Sequence, residues 1–418
     1  MKSKNRNPWF FIPTLYFSEG VPYVLVNSVS VILYKRLGFE NDVIAFWTSL
    51  LYLPWVVKMF WSPYVELYKS KRQWITWTQG LMSLALFLIA LFLHTPLFFV
   101  ASLVLLTVCA FISATHDIAV DGFYLLSLNE DRQAFFVGIR SFFYRSAMIF
   151  TSGILVALAG FWEKSLGDVV WAWFWIWMIA AFIFLILGRY HSSVLPYPDE
   201  NLAAKNKIQR GMRQFKEIFA SYFCQKKIGI IVGFILCYRL GEAMLVKMVS
   251  PFLLDSRLEG GLGLSTVDVG MAYGTAGVIA LMLGGFLGGW WISRSGLKKC
   301  LGVMALALNL PDLFYVYMAY AKPSLIWVYA LVSLEQFGYG FGFAGFMVYL
   351  MHVSRSQYQT AHYAISTGLM ALGMMIPGMI SGALEKAMGY GPFFVLVTLA
   401  AIPGMILIFF LPWREYEK

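Results

Sequence analysis

Apolar stretches of about 20 residues recur from one end of the chain to the other, and they limit what it can fold into. A helix of that length crosses the hydrocarbon core of a bilayer while its backbone groups stay hydrogen-bonded internally. Charged residues make up only 13% of the chain, roughly half of the usual fraction in soluble proteins. The period-two alternation of a membrane β-barrel is missing from these stretches. The sequence therefore predicts an all-α integral membrane protein.

We predict about twelve transmembrane helices in two halves of six. The predicted spans are 9–33, 42–65, 74–94, 97–128, 134–160, 171–190, 228–254, 266–292, 300–321, 324–352, 360–385 and 391–412. A long polar stretch separates the sixth span from the seventh. We therefore expect a six-helix bundle over 1–190, a linker loop over 191–227 and a second six-helix bundle over 228–418.

The two predicted halves resemble each other at an offset of about 223 residues. Glu19 aligns with Glu242, and Asp117 falls close to Glu335. The basic loop that follows the second span aligns with the loop that follows the eighth, and Arg132 aligns with another arginine, at 355. Several matches at nearly one offset favour a parallel repeat of six spans, which is the arrangement of the major facilitator fold.

The basic residues are distributed unevenly between the two ends of the predicted spans. The formal net charge of +10 would by itself suit a nucleic-acid partner. However, 21 of the 32 lysines and arginines lie in the termini and in alternate loops, whereas only 6 lie in the opposite loops. The positive-inside rule then places both termini and the 191–227 loop in the cytoplasm. We therefore expect a monomeric multi-pass protein that lies in a lipid bilayer and binds no nucleic acid.

Motifs for enzymatic chemistry are missing from the sequence. The four cysteines lack metal-ligand spacing, and there is no phosphate-binding loop, nucleophile elbow or zinc motif. We expect neither an enzyme nor a bound cofactor or metal, but a transporter driven by an ion gradient or by its solute's own gradient. A sensor built on such a scaffold would carry an added soluble domain, and the loop over 191–227 is too short for one.

Ionisable side chains inside the spans are the candidate functional residues, because a charge near the bilayer centre costs about 3 kcal/mol. The acids are Glu19, Asp117, Asp121, Glu242, Asp312 and Glu335, and the bases are Lys58, Arg140, Arg145, Arg239 and Lys247. Asp117 and Asp121 are four residues apart and share a helix face. Two neighbouring carboxylates in a poorly hydrated cavity rarely both ionise, so the pair can carry a proton. The alternative is a structural pairing with Arg140 or Arg145 of the next span.

Three other acids are expected to face a central cavity: Glu19, Glu242 and Glu335. Gly20 and Pro22 follow the first of them and several glycines follow the last, and such residues permit kinks where a helix lines a cavity. Interhelical hydrogen bonding is the alternative role for these carboxylates.

Two further groups have alternative interpretations. Arg239, Glu242 and Lys247 form a mixed-charge surface for an acidic substrate, or else Arg239 and Glu242, at positions i and i+3, neutralise each other. His116, next to Asp117, is either a proton relay near neutral pH or a hydrogen-bonded structural residue.

Two motifs in the first half resemble those of AmpG-type muropeptide permeases. Lys58–Glu66 (KMFWSPYVE) is similar to the pattern K-F-x-W-S-P-x-x-D, with Glu66 in the place of Asp. Ser113–Asp121 (SATHDIAVD) is similar to S-A-[ST]-Q-D-I-x-x-D, with His116 in the place of Gln. In the second half, Gly289–Lys299 (GWWISRSGLKK) resembles the loop signature of the major facilitator superfamily.

The resemblance extends over nearly the whole chain and implies a secondary transporter of a bacterial inner membrane. The implied activity is proton-coupled import of peptidoglycan fragments, muropeptides that carry a GlcNAc–anhydro-MurNAc unit. Asp117 is the expected coupling carboxylate, because it belongs both to the motif and to the local acid pair. Glu66, Arg132, Arg294 and Gly296 are expected in loops that gate the cytoplasmic end.

The solute has an alternative as well, because the same branch resembles acetyl-CoA transporters of endomembranes. Another glycan oligosaccharide or an acyl-CoA-like solute is therefore the second hypothesis. An anion carrier should line its path with net positive charge. Six acids against five bases inside the spans do not favour a strongly anionic solute.

Overall fold

Long α-helices make up the described part of the chain. The computed structural model describes residues 6–67, 69–128, 130–196, 217–354 and 359–413. Within these ranges, eleven helices are long and apolar enough to cross a membrane: α1 Pro8–Arg36, α2 Asn41–Phe60, α3 Lys71–Phe92, α4 Phe98–Ser127, α5 Gly138–Leu166, α6 Val169–Val194, α7 Ile228–Leu254, α8 Thr266–Ser295, α9 Leu297–Ala321, α11 Ala361–Met388 and α12 Tyr390–Ile408. A further helix of 29 residues, α10, is Leu325–Val353.

α10 is long enough to cross a bilayer, although its apolar surface is interrupted by Glu335, Gln336 and several glycines. A Cβ on Gly338 would lie 2.0 Å from a carbonyl oxygen of α9, and a Cβ on Gly340 would lie 2.0 Å from one of α8. These glycines therefore permit close contact with two neighbouring helices. The predicted all-α fold of about twelve spans is confirmed. The largest difference in bounds is at α5, which ends at Leu166 instead of at 160.

Capping groups and glycines determine several helix ends. Ser70 and Gln73 form a capping box at the start of α3, in which each side chain accepts a hydrogen bond from the backbone N–H of the other residue. Gly167, with φ +67°, ends α5, and the carboxylate of Asp168 then caps α6. Gly296, with φ +79°, allows the chain to turn from α8 into α9 within one residue.

The described helices pack in two groups whose largest mutual contacts are two helix crossings. In the first group, α1 packs against α4 and α5, and α3 packs against α4 and α6. In the second group, α10 packs against α8 and α9, and α7 packs against α11 and α12. α2 crosses α11 and α5 crosses α8, so each crossing joins the two groups. The predicted linker over 191–227 lies largely outside the described residues, and the division into halves at that point stays a prediction.

The crossing of α5 and α8 depends on glycine and on irregular helical turns. α5 contains π-helical turns over Ile149–Leu155, and α8 contains them over Gly270–Gly277. A Cβ on Gly274 would lie 2.0 Å from the carbonyl oxygen of Ser152, a distance that no packed atom tolerates. Short π-helical segments inside α-helices often mark functional positions. This crossing is therefore a specific contact between the two groups of helices.

Candidate functional site

Asp117, on α4, is held by side chains of α2. Its Oδ2 accepts a hydrogen bond from Trp55 Nε1 at 3.1 Å and lies 3.9 Å from Lys58 Nζ. The Asp117 side chain is 14% exposed. Among the described residues, no side chain donates to the second carboxylate oxygen. Asp117 is therefore a weakly paired carboxylate that a proton or a polar solute can reach.

Asp121 lies one turn further along α4 and is paired more closely. Its Oδ1 accepts a hydrogen bond from Tyr16 Oη at 2.9 Å and lies 3.4 Å from an Arg140 guanidinium nitrogen. The same guanidinium donates to Tyr16 Oη at 3.1 Å and lies over the rings of Tyr16 and Tyr124. Asp121 is 53% exposed and Arg140 is 35% exposed. The pairing with Arg140 is thus present for Asp121, at a position open to solvent.

Glu19 of α1 completes a group that we call the N-terminal charge cluster. Its carboxylate interacts electrostatically with the other four members: Lys58, Asp117, Asp121 and Arg140. One of its oxygens, Oε2, is buried and has no hydrogen-bond partner in the described part of the chain. Three acids and two bases from four helices leave one negative charge in excess when all are ionised. A single proton bound to one of the acids would balance the cluster.

His116 belongs to a separate buried network. Its Nε2 lies 3.1 Å from Gln79 Nε2, and the same amide nitrogen donates to Ser18 Oγ at 3.1 Å. The other amide atom, Gln79 Oε1, lies 2.9 Å from Nδ1 of His191 on α6. This network joins α1, α3, α4 and α6 and includes no member of the N-terminal charge cluster. The geometry thus favours the structural role for His116, and its role as a proton relay stays a prediction.

Arg239 of α7 approaches the first group of helices through aromatic rings. Its guanidinium donates to Tyr339 Oη at 2.5 Å and is 8% exposed. It also interacts electrostatically with Tyr23 of α1. The Tyr23 ring packs edge-on against Trp55, which donates to Asp117. Aromatic rings therefore connect Arg239 with the N-terminal charge cluster across the boundary between the two groups of helices.

Three acids of the second group of helices form what we call the C-terminal acid triad. Glu242 of α7, Asp312 of α9 and Glu335 of α10 are each 0% exposed. Glu242 and Asp312 interact electrostatically with each other, and both interact with Glu335. Glu335 accepts hydrogen bonds from Tyr315 Oη at 3.1 Å and from Gln336 Nε2 at 3.1 Å. In this conformation Glu242 and Glu335 are shielded from solvent and do not line an open cavity.

Two of the predicted basic residues contact the other group of helices but form no ion pair with a described acid. Lys247 of α7 is 1% exposed, and its Nζ lies 3.1 Å from the carbonyl oxygen of Thr48 and 3.3 Å from that of Asn27. Arg145 of α5 extends towards α8, where a Cβ on Gly285 would lie 3.5 Å from its guanidinium. No described carboxylate lies within 4.0 Å of either cation. Lys247 therefore ties α7 to α1 and α2.

The residues expected to gate the cytoplasmic end lie near helix ends. Arg132 is exposed near the start of the helix that continues into α5, and Glu66 belongs to a short helix between α2 and α3. Arg294 lies over the Trp290 ring at 4.6 Å, next to the turn at Gly296. The arginine at 355, predicted to match Arg132, lies outside the described residues. The gating role of all four residues stays a prediction.

A polar network joins the two groups of helices on the side of the molecule opposite the termini, here called the distal side. Lys35 of α1 forms an ion pair with Asp255, directly after α7. Asn41 of α2 donates at 2.9 Å to Glu385 of α11 and at 2.9 Å to Tyr390 of α12. The Tyr390 hydroxyl donates in turn to Asp255 at 2.6 Å. We call these five side chains the distal network.

Further polar contacts close the same side. Lys386 of α11 forms ion pairs with Glu40 and, at 3.1 Å, with Asp42 at the start of α2. Thr266 of α8 donates at 2.7 Å to Glu163 of α5. By contrast, the N-terminal charge cluster is partly exposed to solvent. Polar contacts therefore close the described structure on the distal side. The side that carries the termini, where Asp121 is 53% and Arg140 is 35% exposed, is here called the open side.

Sequence reasoning missed Trp55 and the distal network as functional candidates, and it listed Asp312 among the intramembrane acids without giving it a specific role. Trp55 could have been identified from the sequence. It follows a proline in the middle of a predicted span, whereas tryptophan usually occupies positions at the membrane interface. Asp312 is an intramembrane acid that belongs to no motif, so the sequence assigned it no role. Polar residues at helix ends such as Asn41 and Asp255 are ordinary in sequence, and only their contacts across the boundary distinguish them.

The fold, the two crossings and the charges buried among the spans define a multi-pass membrane transporter. A family model described as Major Facilitator Superfamily matches residues 14–361. The chain belongs to this superfamily.

Relatives of this chain include named permeases. It is 25% identical over 401 residues to the anhydromuropeptide permease of Escherichia coli K12, an alignment that covers 94% of this chain and 77% of the permease. It is 25% identical over 420 residues to a Rickettsia conorii protein named as a transporter, AmpG 4, with 96% of each chain covered. The resemblance to AmpG-type permeases noted in the motifs is confirmed by these alignments.

Solved structures share the fold. The D-xylose–proton symporter aligns with a TM-score of 0.74 at 11% sequence identity and covers 97% of each chain. The nucleoside transporter NupG aligns with a TM-score of 0.69 at 16% identity and covers 95% of this chain and 97% of its own. These identities are low, so the two structures support the fold and carry no information about the solute.

Proposed function

We propose that the protein imports muropeptides, with a GlcNAc–anhydro-MurNAc unit, together with protons across the inner membrane of a bacterium. The observation that carries the proposal is the N-terminal charge cluster, in which three acids and two bases lie on the open side of the transporter. The alignment with the anhydromuropeptide permease of Escherichia coli supports this class of solute.

The chemistry around the cluster suits a solute that has both sugar rings and charged peptide groups. Trp55, Tyr23 and Tyr339 supply aromatic faces on which the apolar faces of sugar rings stack. Arg140 and Arg239 supply donors for the carboxylates of a peptide stem, and acids of the cluster can accept from its ammonium groups. Aromatic and mixed-charge surfaces thus occur together at the boundary between the halves.

Another glycan oligosaccharide is the alternative that the same aromatic residues would serve. An acyl-CoA-like solute fits less well, because a polyphosphate anion needs a path with net positive charge. The N-terminal charge cluster instead has one acid more than bases. The charge balance therefore favours a solute of low net charge.

Asp117 is the proposed coupling carboxylate. It has one indole donor and a lysine ammonium at 3.9 Å, so its ionised form receives little stabilisation from neighbouring groups. Asp121 differs, because it accepts a hydrogen bond from a tyrosine hydroxyl and forms an ion pair with Arg140. The first acid would bind the transported proton, while the second would keep Arg140 in place.

Transport would proceed by alternating access, with the first half rocking against the second about the α2–α11 and α5–α8 crossings. The distribution of basic residues predicts that both termini lie in the cytoplasm. The open side would then face the cytoplasm, and the described conformation would be the one that releases the solute. Opening to the periplasm requires the distal network to break.

The experiment that tests the proposal is uptake of radiolabelled GlcNAc–anhydro-MurNAc peptide into bacteria that lack their own permease. Uptake is measured with and without a protonophore, and membrane expression is checked by immunoblot. We expect accumulation above the external concentration and its loss when the protonophore is added. The matched control is Asp168→Asn, because asparagine also caps a helix and this residue lies far from the charge cluster.

Two results would count against the proposal. Absence of uptake, with the protein present in the membrane, would reject the muropeptide as the solute and direct the search to other oligosaccharides and to acyl-CoA. Accumulation that resists the protonophore and depends on external sodium would reject proton coupling.

A further inference from the structure

The C-terminal acid triad has no part in the proposed solute site, although its carboxylates are the most deeply buried in the second group of helices. Among the described residues, Arg239 is the single base that interacts electrostatically with Glu242. Three ionised carboxylates and one guanidinium would leave two uncompensated negative charges inside the membrane. Such an arrangement is strongly disfavoured in a medium of low dielectric constant. The charge balance alone requires additional positive charge at this place.

Hydrogen bonding around the triad indicates which form the acids take. Among the described residues, none donates to either oxygen of Glu242 or of Asp312. An ionised carboxylate only accepts hydrogen bonds, so both groups would be fully unsatisfied if they were charged. A protonated carboxyl can donate to a neighbouring carboxylate, as in pairs of acids that share a proton. Glu335 differs, because Tyr315 and Gln336 donate to it and can stabilise its ionised form.

The triad does not have the arrangement of a metal site. Within the described ranges, no three His, Cys, Asp or Glu side chains converge as the ligands of a metal ion would. The triad and the described titratable or charged groups that interact with it are Arg239 and Glu242 of α7, Tyr273 of α8, Asp312 and Tyr315 of α9, and Glu335 and Tyr339 of α10. α12 packs here through the backbone of Val397, an apolar residue. Protons are therefore the simplest source of the missing positive charge.

The triad also contacts the crossing that joins the two halves. Gln336, which donates to Glu335, packs against Gly277, where an added Cβ would lie 3.1 Å from the glutamine Cγ. Tyr273 interacts electrostatically with both Glu335 and Gln336. Gly277 and Tyr273 both belong to the π-helical turns of α8 that cross α5. A change of charge at Glu335 would thus act directly on the crossing between the halves.

We propose that the C-terminal acid triad is a second proton-binding site, in which Glu242 and Asp312 hold protons permanently and Glu335 releases and rebinds one during transport. The released proton passes to water when the halves part at the α5–α8 crossing, and the Glu335 carboxylate then remains hydrogen-bonded to Tyr315 and Gln336. This proposal rests on the proposed transport function only for the role of Glu335. Permanent protonation of the other two acids is independent of any solute.

The first test is infrared spectroscopy of the full chain reconstituted in lipid vesicles at neutral pH. We expect absorption from protonated carboxyl groups, shifted in deuterated water, that decreases in Asp312→Asn and in Glu242→Gln. The variants should still fold, because an amide has nearly the shape of a neutral carboxyl. Asp168→Asn is the control and should leave the band unchanged, because Asp168 lies outside the triad and its side chain accepts hydrogen bonds from backbone N–H groups at the start of α6. An identical band in Asp312→Asn, Glu242→Gln and the unaltered protein would overturn the proposal.

The second test compares two kinds of transport in the same vesicles. Accumulation of GlcNAc–anhydro-MurNAc peptide driven by a pH gradient is measured against solute counterflow, which needs no gradient. For Glu335→Gln we expect the ratio of accumulation to counterflow to fall about tenfold, a typical size for coupling between two sites. An unchanged ratio would refute the role of Glu335. If the unaltered protein moves no muropeptide, the proposed function fails, and the infrared test still decides whether the triad carries protons.

Discussion

Asp117 and Asp121 lie one helical turn apart on α4, yet their surroundings differ. Asp121 receives a tyrosine hydroxyl and an arginine, whereas Asp117 receives a single indole N–H. Hydrogen bonds to an ionised carboxylate contribute about 1.5–3 kcal/mol each, so this difference in donors makes the two acids unequal candidates for carrying the transported proton. Only the folded chain shows this difference, because both residues occupy equivalent positions in the motif.

Asp117→Asn is expected to abolish proton-driven accumulation. Asparagine keeps the size of the side chain and its bond from Trp55, but it cannot bind a proton and release it. Accumulation should fall at least about tenfold, and the pH dependence of uptake should disappear. Uptake of labelled muropeptide at several external pH values measures both effects. Unchanged rate and pH dependence at normal expression would exclude Asp117 as the coupling residue.

Trp55→Phe is expected to shift the pH profile of transport towards higher pH. The substitution keeps an aromatic ring next to Tyr23 but removes the donor that favours the ionised form of Asp117. Trp61→Phe is a matched control, since Trp61 donates to Thr115 Oγ1 at 3.2 Å and not to an acid. Identical pH profiles for the two variants would show that the indole donor has no influence on coupling.

At the scale of elements, the crossing of α5 and α8 depends on the absence of a side chain at Gly274. Gly274→Ala would place a methyl group 2.0 Å from the Ser152 carbonyl oxygen. Overpacking of this kind costs about 1–3 kcal/mol, and we expect it to penalise the described conformation, which is closed on the distal side. Gly289→Ala is the control on the same helix, because nothing lies within 4 Å of its added Cβ.

The expected shift away from the distally closed conformation can be measured with a cysteine in place of Ser49, which is 0% exposed and lies near the α2–α11 crossing. In a background without the four native cysteines, an impermeant maleimide should label Ser49→Cys faster when Gly274→Ala is present. Gly289→Ala should leave the labelling rate unchanged. Equal labelling in both variants would mean that the α5–α8 contact does not hold the distal side closed.

At the scale of the whole molecule, the distal network determines which side of the transporter is open. Lys35→Asp would place two acids together at the boundary between the halves, whereas Lys35→Asp combined with Asp255→Lys would restore an ion pair. We expect the single substitution to increase labelling of Ser49→Cys and the double substitution to reverse most of that increase. A coupling energy of about 1 kcal/mol is typical for such a pair. Additive effects would show that the pair does not contribute to distal closure.

The sequence predicted much of the fold because the signals were local. A bilayer requires long apolar helices, and the spans could be counted from hydrophobicity alone. The motifs also identified Asp117 and Asp121, which the structure places together with Glu19, Lys58 and Arg140. Each of these inferences depends on residues close in sequence or on a repeated pattern.

The tertiary structure decided which charges meet, because that depends on how separate helices pack. Asp312 joined Glu242 and Glu335 in one buried triad, although the three residues lie on three helices and share no motif. His116 was assigned to a network with Gln79 and away from the N-terminal charge cluster. The amino-acid sequence thus determined the class of protein, since the membrane acts on each span by itself. Packing alone determined the partners of each acid, since those partners lie up to hundreds of residues away along the chain.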